Sequence, residues 1–321
     1  SARFLMLGLL YVAVLTAHIL LPETHPLSMA LGNVGDWVVV GVLFGGVWLY
    51  ARGLSWLRGF VRPENAASTA PHSSQTELER NARHIVLREL GGAGQKRLKD
   101  ARVLVIGAGG LGSAALQYLA AAGVGTIGVI DDEVVENSNL QRQVIHTDDR
   151  IGQPKVFSAE TALVAQNPFV TIRPYNRRLT PEIARDLFED YDLILDGTDD
   201  TETRYLVNET ACALKLPLFS ASISHCVCHI SLYDPSRCAP CYSCVFPTAS
   251  AAGLAPSCAE GGVLGPLPGV IGALMAVEAV KHVSGAGETL SGRLLIYDAL
   301  HGETRTIGIK RRKNCAVCGS A

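Results

Sequence analysis

The sequence predicts an α/β protein built on a Rossmann-like, mostly parallel sheet with helices on both faces. From Ala101 onward, strand-like apolar runs alternate with helix-like runs, which is typical of βαβ units. A glycine turn follows the first of these runs and opens a helix-like segment. The predicted strands are residues 102–106, 126–131, 169–175, 192–196, 217–221, 293–299 and 304–310. The predicted helices are residues 111–122, 155–166, 181–188, 201–214 and 269–285.

The N-terminal segment is far more apolar than the rest, and it predicts a transmembrane helical hairpin. Residues 4–21 carry no formal charge and reach the length of a membrane-spanning helix, while residues 37–50 form a shorter run that can extend to Leu57. The connector, residues 22–36, lacks Lys and Arg, so the positive-inside rule places both ends of the hairpin in the cytoplasm. A cleaved signal peptide and a buried core hairpin are the alternatives.

A polar stretch divides the chain. Residues 63–76, PENAASTAPHSSQT, have the composition of a linker. We therefore expect a membrane hairpin over residues 1–62, this linker, and one α/β domain over residues 77–319. That domain opens with a charged helix-like stretch, residues 77–90, and a break at the following GGAG. The net charge of −2 does not indicate nucleic-acid binding.

The glycine turn indicates a nucleotide. Gly107, Gly109 and Gly112 have G-x-G-x-x-G spacing between a strand and a helix, where backbone N–H groups and the helix dipole bind phosphate. Asp131 ends the next predicted strand and is suited to accept hydrogen bonds from ribose hydroxyls. NAD is the usual ligand of such a unit, but the glycines alone do not select it.

Charged residues after the predicted strands favour ATP with magnesium over NAD. Arg142 and Lys155 follow the second strand, and Asp199 follows the fourth, at the edge where open α/β sheets bind ligands. Two cations offset the charge of a triphosphate, and a carboxylate holds magnesium. For each of these residues taken alone, a solvated surface charge is the alternative.

Nine cysteines lie in an α/β pattern, which favours metal binding or reactive thiols over disulfides. Cys241 and Cys244, with Cys315 and Cys318, form two CxxC pairs, and two such pairs indicate a tetrahedral zinc site. This site would fix the C-terminal tail to the domain. Cys238 makes a CxxC with Cys241 as well, so spacing alone leaves the ligand set open.

A second group of metal-binding residue types is predicted to be structural. Cysteine and histidine alternate closely in the segment SHCVCHI, which follows the fifth predicted strand. The residues concerned are His225, Cys226, Cys228 and His229. We expect a buried strand with incidental thiols rather than a second metal site.

Taken in order, these motifs resemble the MoeB/ThiF/HesA family, the bacterial relatives of ubiquitin-activating enzymes. The segments that carry the resemblance, from about residue 79 to 319, are ERNARHIVLREL, VLVIGAGGLGS, SNLQRQVIH, GQPKV, DGTDD, PCYSCVFP, CAEGGVLGPLPGVIG and CAVCG. The resemblance implies ATP- and magnesium-dependent adenylylation of the C-terminal glycine of a ubiquitin-like sulfur carrier, with release of pyrophosphate. The carrier expected is the molybdopterin synthase small subunit, with the thiamine-pathway carrier as the alternative. Since the chain ends just after Cys318, a separate sulfur donor is expected.

Matched by position, the resemblance also implies the site residues. Those expected at the nucleotide are Gly107, Gly109, Gly110, Gly112, Asp131, Ser138, Asn139, Leu140, Gln141, Arg142, Lys155, Asp199 and Asp200. Asn139, Arg142 and Lys155 would contact phosphates and Asp199 would bind magnesium. Arg83 matches an arginine that reaches the phosphates from the other subunit, so a homodimer is implied. A structural zinc ion is implied at Cys241, Cys244, Cys315 and Cys318.

Two positions bear on whether the chain is active. The family usually has Asn where this chain has Asp200, and a second negative charge could tighten magnesium or repel the triphosphate. Cys258 stands where some members carry a cysteine that captures the activated carrier or sulfur; the alternative is a loop cysteine without catalytic duty. The expected protein is a membrane-anchored enzyme with a cytoplasmic catalytic domain. Its rivals are a catalytically impaired nucleotide-binding membrane scaffold and an NAD-dependent oxidoreductase.

Overall fold

A computed structural model of the chain describes residues 74–248 and 262–319, together with a scattered subset of residues 11–52. Two compact units are distinguished, residues 1–72 and 73–321. The first contains a short helix, α1 (Pro26–Leu31). Nearby in the same unit, the Tyr11 hydroxyl donates a hydrogen bond to the carbonyl oxygen of Trp37 at 2.7 Å.

The transmembrane hairpin predicted over residues 1–62 is not supported by this structure. Many residues of both apolar runs, and residues 63–73 of the predicted linker, lie outside the described part of the chain. Among the residues that are described, one helix is long and apolar enough to cross a membrane, Pro266–Ser284, and half of its apolar window is buried within the fold. Since core helices of globular domains pass the same test, this helix does not replace the predicted hairpin.

The second unit contains one eight-stranded sheet with the order β3-β2-β1-β4-β5-β6-β7-β8. Its strands are β1 (Arg102–Ile106), β2 (Thr126–Ile130), β3 (Thr171–Tyr175), β4 (Leu193–Asp196), β5 (Leu218–Ser224), β6 (Val227–Tyr233), β7 (Arg293–Asp298) and β8 (Glu303–Gly308). The strands from β3 to β5 pair in parallel, whereas β6, β7 and β8 are antiparallel additions. The Rossmann-like, mostly parallel sheet is confirmed.

Helices cover both faces of this sheet, as predicted. The helices of the second unit are α2 (Gln75–Arg80), α3 (Ala82–Ile85), α4 (Gly91–Asp100), α5 (Gly110–Ala121), α6 (Lys155–Gln166), α7 (Pro181–Glu189), α8 (Thr201–Leu214), α9 (Tyr242–Val245) and α10 (Pro266–Ser284). Side chains of a strand point alternately to the two faces of the sheet, and those of β1 are apolar on both. Val103 and Val105 join the core under α5, α6 and α10, whereas Leu104 and Ile106 join the core under α7 and α8.

Helix boundaries before β1 differ from the prediction. The helix-like stretch 77–90 is interrupted at Asn81, which ends α2 and begins α3, and the GGAG expected to be a break instead opens α4. Gly91 supplies the turn, since its φ is +62°. At Gly94 a Cβ would lie 3.3 Å from the Cβ of Ser284, so glycine lets α4 pack closely against α10.

The segment rich in cysteine and histidine forms strand β6, so the buried strand predicted there is confirmed. His225, with a φ of +55°, and Cys226 make the two-residue turn between β5 and β6. Cys228 is buried, and its thiol donates a hydrogen bond to the carbonyl oxygen of Tyr297 at 3.4 Å. Burial raises the pKa of Cys228 to about 12, so the thiol stays protonated near neutral pH.

The strand order determines where a ligand can bind. From β1 the chain proceeds outward through β2 and β3, then returns to the other side of β1 with β4. The connections after β1 and β4 therefore leave the sheet in opposite directions, and a crevice opens between the carboxyl ends of these two strands.

His229 on β6 generates a prediction about acid stability. Its ring stacks on Phe246 with centroids 5.0 Å apart, and burial, reinforced by the positive charge of Arg204, lowers its pKa to about 4. Above pH ~6.5 the ring is neutral in both the folded and the unfolded chain. As the pH falls from about 6.5 towards 4, only the unfolded chain takes up the proton, so the free energy of unfolding decreases over this range. The His229→Phe variant keeps an aromatic ring stacked on Phe246. We predict that its Tm falls less than that of the wild type between pH ~6.5 and pH ~4. Thermal unfolding at matched pH values measures this, and equal losses would contradict it.

Candidate active site

The glycine turn lies at the crevice, directly after β1. Gly107 has a φ of +90°, and a Cβ at Gly112 would overlap the carbonyl oxygen of Gly107, so both positions require glycine. The N-cap of α5 is Gly109, which offers no side-chain acceptor. The N–H groups of the first turn of α5 are therefore available to an anion, and the helix dipole favours one there.

Asp131 holds the glycine turn in place. Its two carboxylate oxygens accept hydrogen bonds from the N–H groups of Ala108 and Glu133, both at 2.8 Å. Burial raises the pKa of Asp131, although these two bonds and the positive charge of Lys155 oppose the rise. Each oxygen retains a further lone pair, so the predicted bond to a ribose hydroxyl is compatible with this arrangement.

Lys155 is paired with an acidic residue that sequence reasoning missed. Its side chain is buried at the start of α6, with 2% of the residue exposed, and its ammonium contacts the carboxylate of Glu133. The Lys155 N–H also donates to the carbonyl oxygen of Glu133 at 2.9 Å. A phosphate would compete with the exposed Glu133 carboxylate for this ammonium. No spacing signal marks Glu133, because the pair spans 22 positions.

The segment SNLQRQ brings Arg142 over the glycine turn. A Cβ on Gly110 would lie 3.7 Å from the Cγ of Arg142, and the guanidinium donates to the carbonyl oxygen of Ser138 at 3.0 Å. Asn139 is instead buried, where its side-chain oxygen accepts from the N–H of Glu136 at 3.1 Å. Arg142 is therefore near the predicted phosphates, whereas Asn139 stabilises the turn that carries it.

The same segment places two glutamines and a half-buried Leu140 nearby. Gln141 packs against Gly265, which precedes α10. Gln143 is buried, its Nε2 lies 3.8 Å from the Cβ position of Gly109, and its Oε1 has no hydrogen-bond partner within the described part of the chain. Sequence reasoning missed Gln143, because a glutamine two residues from another in a turn carries no periodic signal.

His146 is a further residue that the sequence did not reveal. One ring nitrogen lies 3.0 Å from the carbonyl oxygen of Ala108 and the other lies 2.9 Å from the hydroxyl of Ser158. Burial lowers the pKa of His146, and the positive charges of Lys155 and Arg150 act in the same direction. A neutral ring thus connects the glycine turn to α6 at neutral pH.

Asp199 is exposed in the segment between β4 and α8, and its carboxylate makes no hydrogen bond or ion pair with any residue the structure describes. Asp200, by contrast, caps α8: it accepts from the N–H of Thr203 at 2.9 Å and pairs with Arg178 at 3.5 Å. Burial alone would raise the pKa of Asp200, but the Thr203 bonds and Arg178 outweigh it and lower the pKa. The extra charge at position 200 is therefore engaged at the helix start, where Asn would also be a good cap.

One predicted residue, Arg83, is not brought to this crevice, and another, Cys258, lies outside the described residues. Arg83 is exposed on α3, and it makes no hydrogen bond or ion pair with the described residues. Cys258 falls in residues 249–261, outside the described part of the chain. A separate cavity of about 540 Å³ lies at the other end of α10, and its cations Arg237, Lys281 and Arg293 are each paired with an acidic residue.

The two CxxC pairs form one buried cluster. Sγ–Sγ distances are 3.8 Å for Cys241–Cys244, 3.5 Å for Cys241–Cys315 and 3.4 Å for Cys244–Cys318, with all four sulfurs within 4.8 Å of one another. Tetrahedral bonds of about 2.3 Å to zinc separate sulfurs by about 3.8 Å, so this cluster could bind zinc. Cys238 is exposed and is not part of the cluster, which decides the ligand set that spacing left open.

The environment of the thiols is consistent with metal binding. Burial raises the pKa of Cys244, and that of Cys318 to about 12. At Cys315 burial acts in the same direction, but the N–H groups of Cys318 and Val317 outweigh it and lower the pKa to about 7. Thiolates are the form that binds a metal, so a metal ion at this cluster would displace the remaining thiol protons.

Comparison with known proteins places the chain in a family. A profile of the ThiF family matches residues 81–317, which include the glycine turn, the crevice and three cysteines of the cluster. The chain belongs to the ThiF family. Its fold is also that of the Escherichia coli protein MccB in a crystal structure with ATP, with a TM-score of 0.63, 23% identity, and coverage of 71% of this chain and 69% of that one.

Two similar relatives in this family are named as adenylyltransferases. The probable adenylyltransferase/sulfurtransferase MoeZ of Mycobacterium tuberculosis is 50% identical over 241 residues, covering 74% of this chain and 62% of MoeZ. The sulfur carrier protein adenylyltransferase of Thermus thermophilus is 45% identical over 250 residues, covering 77% and 92%. The chain thus spans less than two thirds of the length of MoeZ but nearly all of the Thermus protein.

The cysteine cluster generates a prediction with an internal control. If zinc occupies the cluster, Cys315→Ser removes one of its four ligands, so we expect loss of zinc and a marked fall in Tm, since structural zinc contributes about 10 kcal/mol or more in small zinc domains. Cys238→Ser, outside the cluster, should leave both unchanged. Elemental analysis and thermal unfolding of the purified variants measure this; full zinc content in Cys315→Ser would contradict the ligand assignment.

Proposed function

We propose that this chain is an adenylyltransferase that uses ATP and magnesium to activate the C-terminal glycine of a ubiquitin-like sulfur carrier. The observation that carries the proposal is the crevice between β1 and β4, where an uncapped helix N-terminus packs against the segment that carries the exposed Asp199. The names of relatives that are 45% and 50% identical support this chemistry. The molybdopterin synthase small subunit is the carrier we propose first, and the thiamine-pathway carrier is the alternative.

The residues of the crevice suit attack by a carboxylate on the α-phosphorus of ATP. The carrier carboxylate is already anionic, so the reaction needs no protein nucleophile or general base: an oxygen–phosphorus bond forms and the bond to pyrophosphate breaks. The first turn of α5, Arg142 and Lys155 bind the phosphates and offset the charge that moves to the leaving group. Asp131 orients the ribose. Magnesium, held by Asp199, supplies further charge neutralisation on the phosphates when it is bound.

We further propose that the cysteine cluster holds structural zinc. Four thiol ligands without an open position are typical of a structural zinc site rather than a catalytic one. The cluster joins Cys241 and Cys244, beside α8, to Cys315 and Cys318 near the end of the described chain. Its role in this proposal is to hold the C-terminal segment against the domain.

A homodimer is also part of the proposal, because the site lacks Arg83 from its own chain. Arg83 is exposed, and the neighbouring part of the chain, α2 and the turn after α3, also exposes Leu78, Val86 and Leu87. Exposed apolar side chains of this size are typical of protein interfaces when they form a patch. In a symmetric dimer, Arg83 of each subunit would complete the phosphate site of the other.

One experiment tests both the chemistry and the shared site. We expect the wild type to exchange pyrophosphate into ATP only when a carrier ending in Gly-Gly is present. Asp199→Asn and Arg83→Ala should each be inactive alone. After equal mixing and subunit exchange, about half of the dimers are mixed and each has one intact site, so about one quarter of wild-type exchange should return.

The outcomes separate the two parts of this proposal. Asp192→Asn, at the opposite end of β4, is the control and should exchange like the wild type. No wild-type exchange with any such carrier would contradict the adenylyltransferase and favour a nucleotide-binding scaffold. Inactive mixtures from two individually folded variants would contradict a site shared between subunits.

For localisation, we propose that the N-terminal segment anchors the protein in the inner or plasma membrane with the catalytic domain in the cytoplasm. The proposal rests on the uncharged run 4–21, the second run 37–50 and the absence of Lys and Arg between them. It remains independent of the catalytic proposal, because the crevice uses only residues of the second unit.

Deletion of residues 1–62 tests this anchor. We expect the full chain to sediment with membranes and the truncated chain to remain in the supernatant, with pyrophosphate exchange retained. Extraction with carbonate distinguishes an inserted segment from a peripheral one. A truncated protein that still sediments with membranes would contradict the anchor.

A further inference from the structure

The segment that carries Asp199 is held tightly: the residues before Asp199 pack on the glycine turn, and Asp200 after it caps α8. A Cβ at Gly197 would lie 3.1 Å from the N–H nitrogen of Gly112, so the segment packs directly on the glycine turn. Thr198 donates to one carboxylate oxygen of Asp196 twice, from its N–H at 3.0 Å and from its hydroxyl at 2.7 Å. The Asp199 side chain is exposed, whereas its backbone follows a residue with a fixed position.

Asp196 belongs to a buried network that also holds the other side of Thr198. Its second carboxylate oxygen accepts from the hydroxyl of Ser220 at 2.7 Å and from Nε of Arg204 at 3.1 Å. Asp196 is 0% exposed and Arg204 is 6% exposed. An Nη atom of Arg204 donates to the carbonyl oxygen of Thr198. The planar guanidinium therefore bridges Asp196 and Thr198 at once, which a lysine could not do with the same geometry.

Arg204 is in turn positioned by α9, the helix that begins directly after Cys241 and contains Cys244. The Tyr242 ring centroid lies 5.9 Å from the guanidinium carbon of Arg204. Tyr242 follows Cys241 and begins α9. The Tyr242 N–H donates to the side-chain oxygen of Asn208 on α8 at 2.8 Å, and the Asn208 amide donates to Ser243 at 3.0 Å. These bonds join α9 to the helix that carries Arg204.

We propose that Arg204 and Tyr242 are positioning residues that transmit the geometry of the cysteine cluster to Asp199. The path runs from the cluster through α9 to Tyr242, then through Arg204 to Asp196 and Thr198. Buried networks in which every member is bonded are rigid, and loss of one member releases the others. The proposal rests on the proposed function in one respect, that Asp199 holds the divalent cation of ATP.

The test measures cation binding by the full-length protein without turnover. Mn²⁺ replaces magnesium as the probe, and its affinity in the presence of a non-hydrolysable ATP analogue is read from the EPR signal of free Mn²⁺. For Tyr242→Leu we expect zinc content to be retained and Mn²⁺ affinity to fall about 10-fold, as is usual when a residue behind a metal ligand is lost. Asp199→Asn should abolish the contribution of the protein to Mn²⁺ affinity.

Two further variants keep the test decisive. Arg204→Lys keeps the charge but loses the planar fork, and it should weaken Mn²⁺ binding in the same direction even where Tyr242→Leu fails to fold. Tyr205→Phe is the matched control: it perturbs the same aromatic cluster and removes a hydrogen bond to the carbonyl oxygen of Phe246, yet it leaves the Arg204 bonds intact. It should lower Tm without changing Mn²⁺ affinity.

The result that overturns the proposal is a folded Tyr242→Leu or Arg204→Lys protein with lowered Tm and wild-type Mn²⁺ affinity. Such a result would leave these residues with a role in stability alone. The proposed function fails separately, by absence of carrier-dependent pyrophosphate exchange in the wild type. Weakened Mn²⁺ binding in the two variants would support the positioning role even in that case, because the readout requires bound nucleotide and no reaction.

Discussion

The close approach of two backbone segments at the carboxyl ends of β1 and β4 is the constraint on which the candidate site depends. A Cβ at Gly107 would lie 3.2 Å from the carbonyl oxygen of Gly197, and one at Gly197 would lie 3.1 Å from the nitrogen of Gly112. Side chains at these positions would separate the phosphate-binding helix start from the segment that carries Asp199. These glycines therefore have two roles: they let the two loops contact each other, and they let a ligand approach the backbone.

Most charged side chains at the crevice are already paired within the protein, so few are free to bind a ligand. Lys155 contacts Glu133, and Asp200 is engaged by Thr203 and Arg178. Among the described residues of the segment after β4, Asp199 is the carboxylate left exposed and unpaired. The helix N-terminus and this carboxylate are complementary to a phosphate with its divalent cation, which is the pairing that activation by ATP requires.

The antiparallel part of the sheet and the cysteine cluster serve a different purpose from the parallel part. Strands β6, β7 and β8 extend the sheet away from the crevice, and the cluster joins the segment after β8 to Cys241, the N-cap of α9, and to Cys244 within α9. The C-terminal segment is joined to α9 by the cluster, and α9 packs against α8, which carries Arg204. The C-terminal segment and the Asp199 segment are therefore both supported by α9. Local order at the cluster and local order at the crevice are thus physically connected.

The sequence by itself set no bounds for β6 or α9. It did determine the α/β class, it predicted the bounds of β1 to β5, β7, β8, α5 to α8 and α10 to within three residues, and it marked Gly107, Arg142 and Asp199 as candidate site residues. These follow from local signals: hydrophobic period, glycine at a turn, and charge after a strand. It also predicted the four cysteines but could not exclude Cys238, because spacing does not show which thiols converge.

Only the tertiary structure decided the partners. That Lys155 meets Glu133, that Asp200 caps a helix, and that Arg204 bridges Asp196 and Thr198 depend on how helices pack over the sheet. The break expected at GGAG became a helix for the same reason, since contact of Gly94 with α10 outweighs the low helix propensity of glycine. Propensity and spacing act along the chain, whereas these contacts join residues that the chain order keeps apart.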